Sequence, residues 1–576
     1  MDRLCDRCLQ LLQDFVNFIR RVSSGLVQQI KQCLLQLSEC CCCRRRKFDV
    51  RQLYRPVLEQ HEKEAAQEFL RHIETGFETS PPSTESLESL RTLAFSENPD
   101  LQQSAALYYL HMSQHLNTQL PEEYLEPYHC LLQSSDLEVQ QTSSLSLVNF
   151  LLEGNVNKEA VVQMGLLEPI LELLESGDSI VQCNSCACIM TLAVSESNRE
   201  AIGSAGGIIP LMALAKSYDP RVQQNAVGAL LNLTRSERIQ HVLCREGALP
   251  VLTLLLQSPD SEVQYYSCAA LSKIAANSEH HKAMLQVGDR FLLRMLLSLL
   301  SSSVDKVSIQ SCVCLRNLAT NGDTQTDLIA MNILPLLLAL LDSNNKEVQK
   351  SSIALLWIFS QHPLNKGALM CEELLQSLRS LLLTQTPNPL LTGHIAQIIE
   401  NLNLPENIQA IIKTKCFEGL LQAFLSAENE EESLVCVTSC IAELTKHELV
   451  QSQLVERMDI PLLRRMMGLA SQGHHPELSF QAASIIRQLA LHEKMMSLLK
   501  CEMEAVQHYL MNFLKHQELR FQQLGISTVC TLSEDMEFSS AISQSPLAEQ
   551  LNRVRQQTEE TQKLLNVAIS HTDGLH

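Results

Sequence analysis

Long stretches of this chain repeat one arrangement of apolar and polar positions. RVQQNAVGALLNLTRS (221–236) and EVQYYSCAALSKIAAN (262–277) match IVQCNSCACIMTLAVS (180–195) and EVQQTSSLSLVNFLLE (138–153) position for position in character. Each copy has apolar residues at helical spacing, small residues in its middle and an apolar pair near its end, which predicts one long helix per copy. The last core position of each such helix serves as an anchor: Met112, Phe150, Leu192, Leu233, Ile274, Leu318, Ile358, Leu402, Leu444, Leu489 and Leu532. Successive anchors lie 38 to 45 residues apart. A self-similar period of about 42 residues, sustained over eleven units, predicts a stacked helical repeat array.

The remainder of each unit agrees. A shorter apolar helix, such as LEPILELLES or LPVLTLLLQS, precedes the long one, and a very short helix precedes that. Gly165, Gly207 and Gly247 separate the two short helices, where a left-handed residue ends a helix. Pro169, Pro210, Pro250, Pro335 and Pro461 follow in the next helix's first turn, where the missing N–H costs little. Small residues in the long helices, Ala226, Gly228, Ala269 and Ala270, are expected to let neighbouring units approach closely. The expected organisation is an N-terminal segment 1–47, a helix with a Pro/Ser linker and the start of the array over 48–92, the array over 93–540, and a polar tail over 541–576 forming one closing helix. TGFETSPPSTESLES (75–89), with Pro81 and Pro82, marks the linker.

Composition narrows the function classes. The 576 residues carry 45 basic and 65 acidic side chains, a net charge of −20, which makes a poor general binder of nucleic acid. Many of the 21 cysteines sit inside apolar helical runs, as in VQCNSCACIM and SIQSCVCLRN, and read as small buried hydrophobes in a reducing compartment. No signal peptide is expected at the N-terminus, and no transmembrane helix, since no uncharged apolar run reaches about 18 residues. No phosphate loop, HExxH or GxSxG stands in the sequence, so neither an enzyme, a cofactor nor a metal site is expected. The histidine pairs His280–His281 and His474–His475 read as solvated loops.

Three helices per unit with glycine and proline at those joints resemble the armadillo-repeat family. The likeness extends to whole units. NKEAVVQMGLLEPILELLESGDSIVQCNSCACIMTLAVSESNREAIGSAGGIIPLMALAKSYDPRVQQNAVGALLNLTRSE, SEVQYYSCAALSKIA, CLRNLA and HPLN (362–365) resemble the vacuolar protein 8 group of fungal scaffolds within that family, most strongly over about 125–370. The resemblance implies an all-α, right-handed superhelix of about eleven three-helix units. It further implies an adaptor held on the cytoplasmic face of a vacuole- or lysosome-like membrane by N-terminal lipid, with a cytosolic pool, serving vacuole organisation, membrane contact and autophagy. One departure is plain. The chain begins MDRLCDR, and myristoylation requires glycine where Asp2 stands.

What stands there instead is SECCCCRRRK. Cys40, Cys41, Cys42 and Cys43 run into Arg44, Arg45, Arg46 and Lys47. Zinc needs paired thiolates at loop spacing, and adjacent cysteines bridge badly as disulfides. An inert linker is the plain alternative. S-palmitoylation fits best, because Leu4 to Leu37 carries apolar residues at helical spacing and residues 1–47 hold nine basic and four acidic residues. An amphipathic helix, clustered cysteines and a basic run together make a two-signal membrane anchor. The alternative use of that helix is self-association.

In armadillo arrays the long helices line a groove, and the residue before each anchor faces it. These positions are His111, Asn149, Thr191, Asn232, Lys273, Asn317, Trp357, Asn401, Glu443, Gln488 and Thr531. Asparagine offers donor and acceptor to a peptide backbone, and Arg316 beside Asn317 adds charge. The next pairs read Leu356–Trp357 and Glu400–Asn401, so the family's basic stripe is incomplete. The expected partners are proteins offering extended or helical segments, with Asn149, Asn232, Lys273, Arg316, Asn317, Trp357 and Asn401 as contact residues. A soluble cytosolic or ciliary adaptor is the alternative of the same fold. A nuclear transport receptor fits less well, because one tryptophan does not make the regular Trp/Asn ladder that such receptors need.

Overall fold

The computed structural model describes residues 58–74, 84–383, 388–426, 430–554 and 558–573. The anchor segment with Cys40 to Cys43 and Arg44 to Lys47 lies outside the described residues. Among the described residues all regular structure is helical. The chain divides into two compact units, the first reaching Leu292 and the second beginning at Leu293.

Each unit is a stack of three-helix repeats. In the first, Glu196–Ser204, Ile208–Leu214 and Pro220–Leu233 form one repeat, and Glu237–Arg245, Ala248–Leu255 and Ser261–Ala275 the next. In the second, Gly322–Ala330, Ile333–Leu341 and Lys346–Gln361 are followed by the long helices Pro389–Asn401, Glu431–Leu444, Pro476–Leu489 and Leu519–Leu532, each with its own shorter partners.

A local code starts many of the long helices. Asp136, Asp178, Asp219, Asp260 and Asn345 each accept a hydrogen bond from a first-turn N–H, at 2.7–3.0 Å. A serine two residues earlier (Ser134, Ser176, Ser217, Ser258, Ser343) accepts from the capping residue's own N–H at 3.1–3.2 Å. The glutamine of each VQ pair then donates back to that serine's carbonyl, as Gln182 does to Ser176 at 2.6 Å. Ser-x-Asp/Asn-x-x-Val-Gln therefore closes its own turn before the helix begins. Val304 takes the capping place before Asp305–Leu318 and provides no side-chain cap.

Replacing Asp178 by alanine is expected to cost about 1 kcal/mol of stability, read as a lowered denaturation midpoint. The N–H groups of Val181 and Ile180 hold its carboxyl below the usual aspartate range. Its contribution is present above the unfolded aspartate's pKa and is lost as pH falls through the lowered folded value.

Stacking buries the apolar face. Phe150, Leu192, Leu233, Ile274, Leu318, Leu402, Leu444, Leu489 and Leu532 are fully buried anchors, and Ala269 and Ala270 are buried between long helices. Gly228 sits so close to both flanking long helices that a Cβ there would stand 2.6 Å from Met190 Sδ and 3.5 Å from the Tyr266 ring.

Five details differ from the sequence expectations. The left-handed glycine is Gly206 (φ 81°) and not Gly207 (φ −64°). Gly207 N–H bonds Ile202 O at 3.0 Å, closing the preceding helix around Gly206. Asn332 and Lys415 take the left-handed place in later repeats, with φ of 62° and 59°. The seventh anchor is Phe359, fully buried, while Ile358 is only half-buried. His280 and His281 are buried rather than solvated, and the His281 ring bonds Ala275 O at 2.7 Å. Helix begins at Thr84, inside the expected linker, and Gln60–Glu74 packs ahead of it with Phe69 buried against Tyr108 at 5.0 Å. The tail holds two helices, Pro546–Arg553 and Glu559–Asp573, which bury Leu547, Leu551, Leu565 and Ala568 and add a last three-helix repeat with Met536–Ser543.

Candidate partner-binding face

Placing Phe359 as the anchor moves the row of exposed positions by one in that repeat. Trp357 then aligns with Arg316 and Glu400, and Ile358 with Asn317 and Asn401. Leu356 is fully buried core and leaves the row. In the first unit, Asn149 and Asn232 are half-buried and Lys273 is exposed, but Thr191 is buried and donates its hydroxyl to Ala187 O at 2.9 Å. Arg316, Asn317, Trp357 and Asn401, all half-buried, belong to the second unit.

The amides of this row are already engaged. Asn149 Nδ2 donates to Ser113 Oγ at 3.1 Å, and Asn401 Nδ2 to Ser360 Oγ at 3.0 Å. Each of these hydroxyls follows the anchor of the preceding repeat. Thr445 and Gln488 occupy the same two positions with the bond reversed, the Thr445 hydroxyl donating to Gln488 Oε1. Asn232 Nδ2 reaches Met190 O at 2.8 Å. Asn149, Asn232 and Asn401 thus each clamp adjacent repeats through Nδ2 and retain a carbonyl oxygen and one N–H for another partner. These asparagines therefore carry a structural duty of their own. A second row of amides, Asn184 to Gln141 O and Asn225 to Cys183 O, clamps the same helices nearer their start.

The second unit holds a cavity of about 350 Å³ across three successive long helices. Trp357 and Gln361 come from Lys346–Gln361, Gln397, Glu400 and Asn401 from Pro389–Asn401, and Val435, Cys436 and Ser439 from Glu431–Leu444. Steps of three and four residues put these side chains on one face of each helix. His394 packs against the Trp357 indole, ring centres 5.0 Å apart. Burial lowers the His394 pKa, and nearby Arg316 lowers it further. Burial raises the Glu400 pKa, although Ser439 Oγ donates to its carboxylate at 3.2 Å. A smaller cavity, about 190 Å³, continues from Gln397 and Cys436 towards Pro389, with Glu430 and Glu432 at its edge. Sequence reasoning named Trp357, Glu400 and Asn401 here and missed His394, Gln397, Cys436 and Ser439. Counting back four residues from Asn401 along the same helix face would have found Gln397.

Among the described residues every cysteine is free, and no group of three metal-ligating side chains gathers. Cys312 and Cys314 are fully buried, and burial pushes the Cys312 thiol up to about 12. No single described helix is long and apolar enough to cross a membrane.

Residues 154–193, 195–235 and 236–276 match the family described as Armadillo/beta-catenin-like repeat. Vacuolar protein 8 of Gibberella zeae is 40% identical over 127 residues, 22% of either chain. Vacuolar protein 8 of Schizosaccharomyces pombe is 36% identical over 118 residues, 20% of this chain and 21% of the relative. The match thus spans about a fifth of these relatives' length. Among solved structures, a chain described under a phosphorylation switch controlling the interaction between cadherin and beta-catenin aligns with a TM-score of 0.64. It is 14% identical, and the alignment covers 84% of this chain and 99% of that one. An engineered protein aligns with a TM-score of 0.60 at 22% identity, covering 70% of this chain and 98% of its own. At such identities the structures speak to fold alone.

Proposed function

The chain carries an armadillo-type repeat fold, and we propose that it is a membrane-associated scaffold binding extended segments of partner proteins along the face of its long helices. The observation that carries this reading is the oriented amides on the long helices of each unit, joined within the second unit by a cavity lined by Trp357, Glu400 and Asn401. An extended segment needs backbone partners at intervals and a recess for a side chain, and this face offers both. Its likeness to vacuolar protein 8 supports a vacuole- or lysosome-like membrane as the site of action, with roles in organelle organisation, contact and autophagy. The basic, cysteine-rich segment 1–47 supports lipid anchoring at its cytoplasmic face. Self-association through that segment is the competing use of it.

The test is selection of extended peptides on the full chain, followed by affinity measurements on variants. Asn232→Ala with Asn317→Ala is expected to weaken selected peptides by about 1 kcal/mol or more for each buried group left unpaired. Asn232→Ala also removes the bond to Met190 O, so some stability is lost with it. Gln223→Ala is the control: its amide closes the helix start on Ala215 O and Ser217 O, so it lowers stability away from the row. Equal affinity of the asparagine double variant and the parent for every selected peptide would remove the long-helix face as the site.

A further inference from the structure

We propose that the cavity bounded by Trp357, Gln397, Glu400, Asn401 and Cys436 is a specificity pocket for a cationic side chain, lysine or arginine, of an extended partner segment. The inference rests on the groove reading and adds the chemistry of what enters.

Shape comes first. The cavity, about 350 Å³, is open across three helices, so a side chain enters it while its backbone crosses the helix row. Its wall is an indole, and an indole face attracts a cation. Its polar lining includes the Glu400 carboxylate and the amides of Gln361, Gln397 and Asn401; Gln397 Nε2 already donates to Cys436 Sγ and Asn401 Nδ2 to Ser360 Oγ, which leaves their carbonyl oxygens as acceptors. The smaller cavity beyond Gln397 and Cys436 carries two further carboxylates, Glu430 and Glu432, both exposed.

Charge decides among occupants. Among the described residues Glu400 has no ion-pair partner; it accepts one hydrogen bond, from Ser439. Lys446 acts on Glu400 from a distance but is held by Glu443, at 2.6 Å. Arg316 acts on His394 and does not line either cavity. An anionic side chain would meet Glu400 with Glu430 and Glu432 beyond it. An apolar one would cover a half-buried carboxylate and leave it unpaired, which is costly. A cation satisfies the carboxylate and the indole together.

The pocket also has a pH signature. Glu400 feels Glu443 and Lys446 from the end of the next long helix and its loop, and its carboxylate acts in turn on Cys436 and Cys440 of that helix. Trp357 on the preceding helix is uncharged. Burial, the largest influence, holds the Glu400 proton to higher pH than an ordinary glutamate's. Cation binding requires the carboxylate, so affinity is full above that raised value and falls as pH drops through it.

Trp357 is the only tryptophan in the chain, so its emission reports on this cavity alone. The full chain is titrated with a peptide alternating arginine and glycine, and with the same peptide carrying neutral citrulline for arginine. The expected result is a saturable change in emission, at least about tenfold tighter for the arginine peptide. Glu400→Gln, which keeps the shape and removes the charge, is expected to abolish that preference and its pH dependence, with circular dichroism unchanged. Equal binding of the two peptides, a preference that survives Glu400→Gln, or no saturable response to the arginine peptide overturns the pocket. Should peptides selected without cations still respond to the Asn232→Ala and Asn317→Ala changes, the groove reading stands and only its cationic chemistry falls.

Discussion

Phe359→Ala is expected to destabilise the second unit by about 3–5 kcal/mol, while Ile358→Ala next to it costs far less. Phe359 is fully buried at the end of Lys346–Gln361, at the same eleven-residue step from Val348 that separates Val222 from Leu233. Removing its ring leaves a void that neighbouring repeats cannot refill without breaking their own packing. Ile358 is half-buried, so its truncation removes less apolar burial and opens no enclosed void. Stacked repeats unfold locally as well as globally, so denaturant midpoints are best accompanied by hydrogen exchange across Lys346–Gln361. Equal losses for the two variants would return the anchor to Ile358 and shift Trp357 back into the row of Asn317 and Asn401.

The second large effect concerns location. Replacing Cys40, Cys41, Cys42 and Cys43 with serine is expected to move the protein from membrane to soluble fractions. Each acyl chain contributes roughly 0.8 kcal/mol per buried methylene, whereas Arg44, Arg45, Arg46 and Lys47 supply about 1 kcal/mol each near anionic lipid. That electrostatic share weakens at physiological salt. Fractionation with acyl-exchange labelling reads both consequences. A parent chain that takes no label removes acylation as the anchor, wherever the protein resides.

The repeat and its core were legible because stacking imposes them at every period. A buried position such as Leu233 or Ile274 tolerates little besides an apolar side chain, and that recurs visibly. The local code of serine, aspartate and glutamine was equally visible as letters, yet its meaning lies in bonds six residues apart that apolar periodicity does not register. Ambiguity arose where neighbouring letters were equivalent. In SAGGII either glycine can adopt a left-handed conformation, and only the bond from Gly207 N–H to Ile202 O selects Gly206. In LLWIFS five apolar candidates compete for one anchor. His280 and His281 looked solvated because polarity was read without the Ala275 carbonyl that receives the His281 ring. The cavity was half-legible for a related reason: Trp357, Glu400 and Asn401 stood out by type, whereas Gln397, Cys436 and Ser439 are ordinary residues made distinctive by three helices meeting.

The amides that clamp successive repeats have a consequence in entropy. A free asparagine or glutamine on a surface samples several rotamers, and fixing one on association costs roughly 0.5–1.5 kcal/mol. Asn149, Asn232 and Asn401 meet that cost during folding, because Ser113, Met190 and Ser360 already hold their Nδ2 groups. Their remaining donor and acceptor therefore keep one orientation before any partner arrives. A segment that fits this fixed pattern associates without ordering those side chains, and one that does not fit has little freedom in them to exploit.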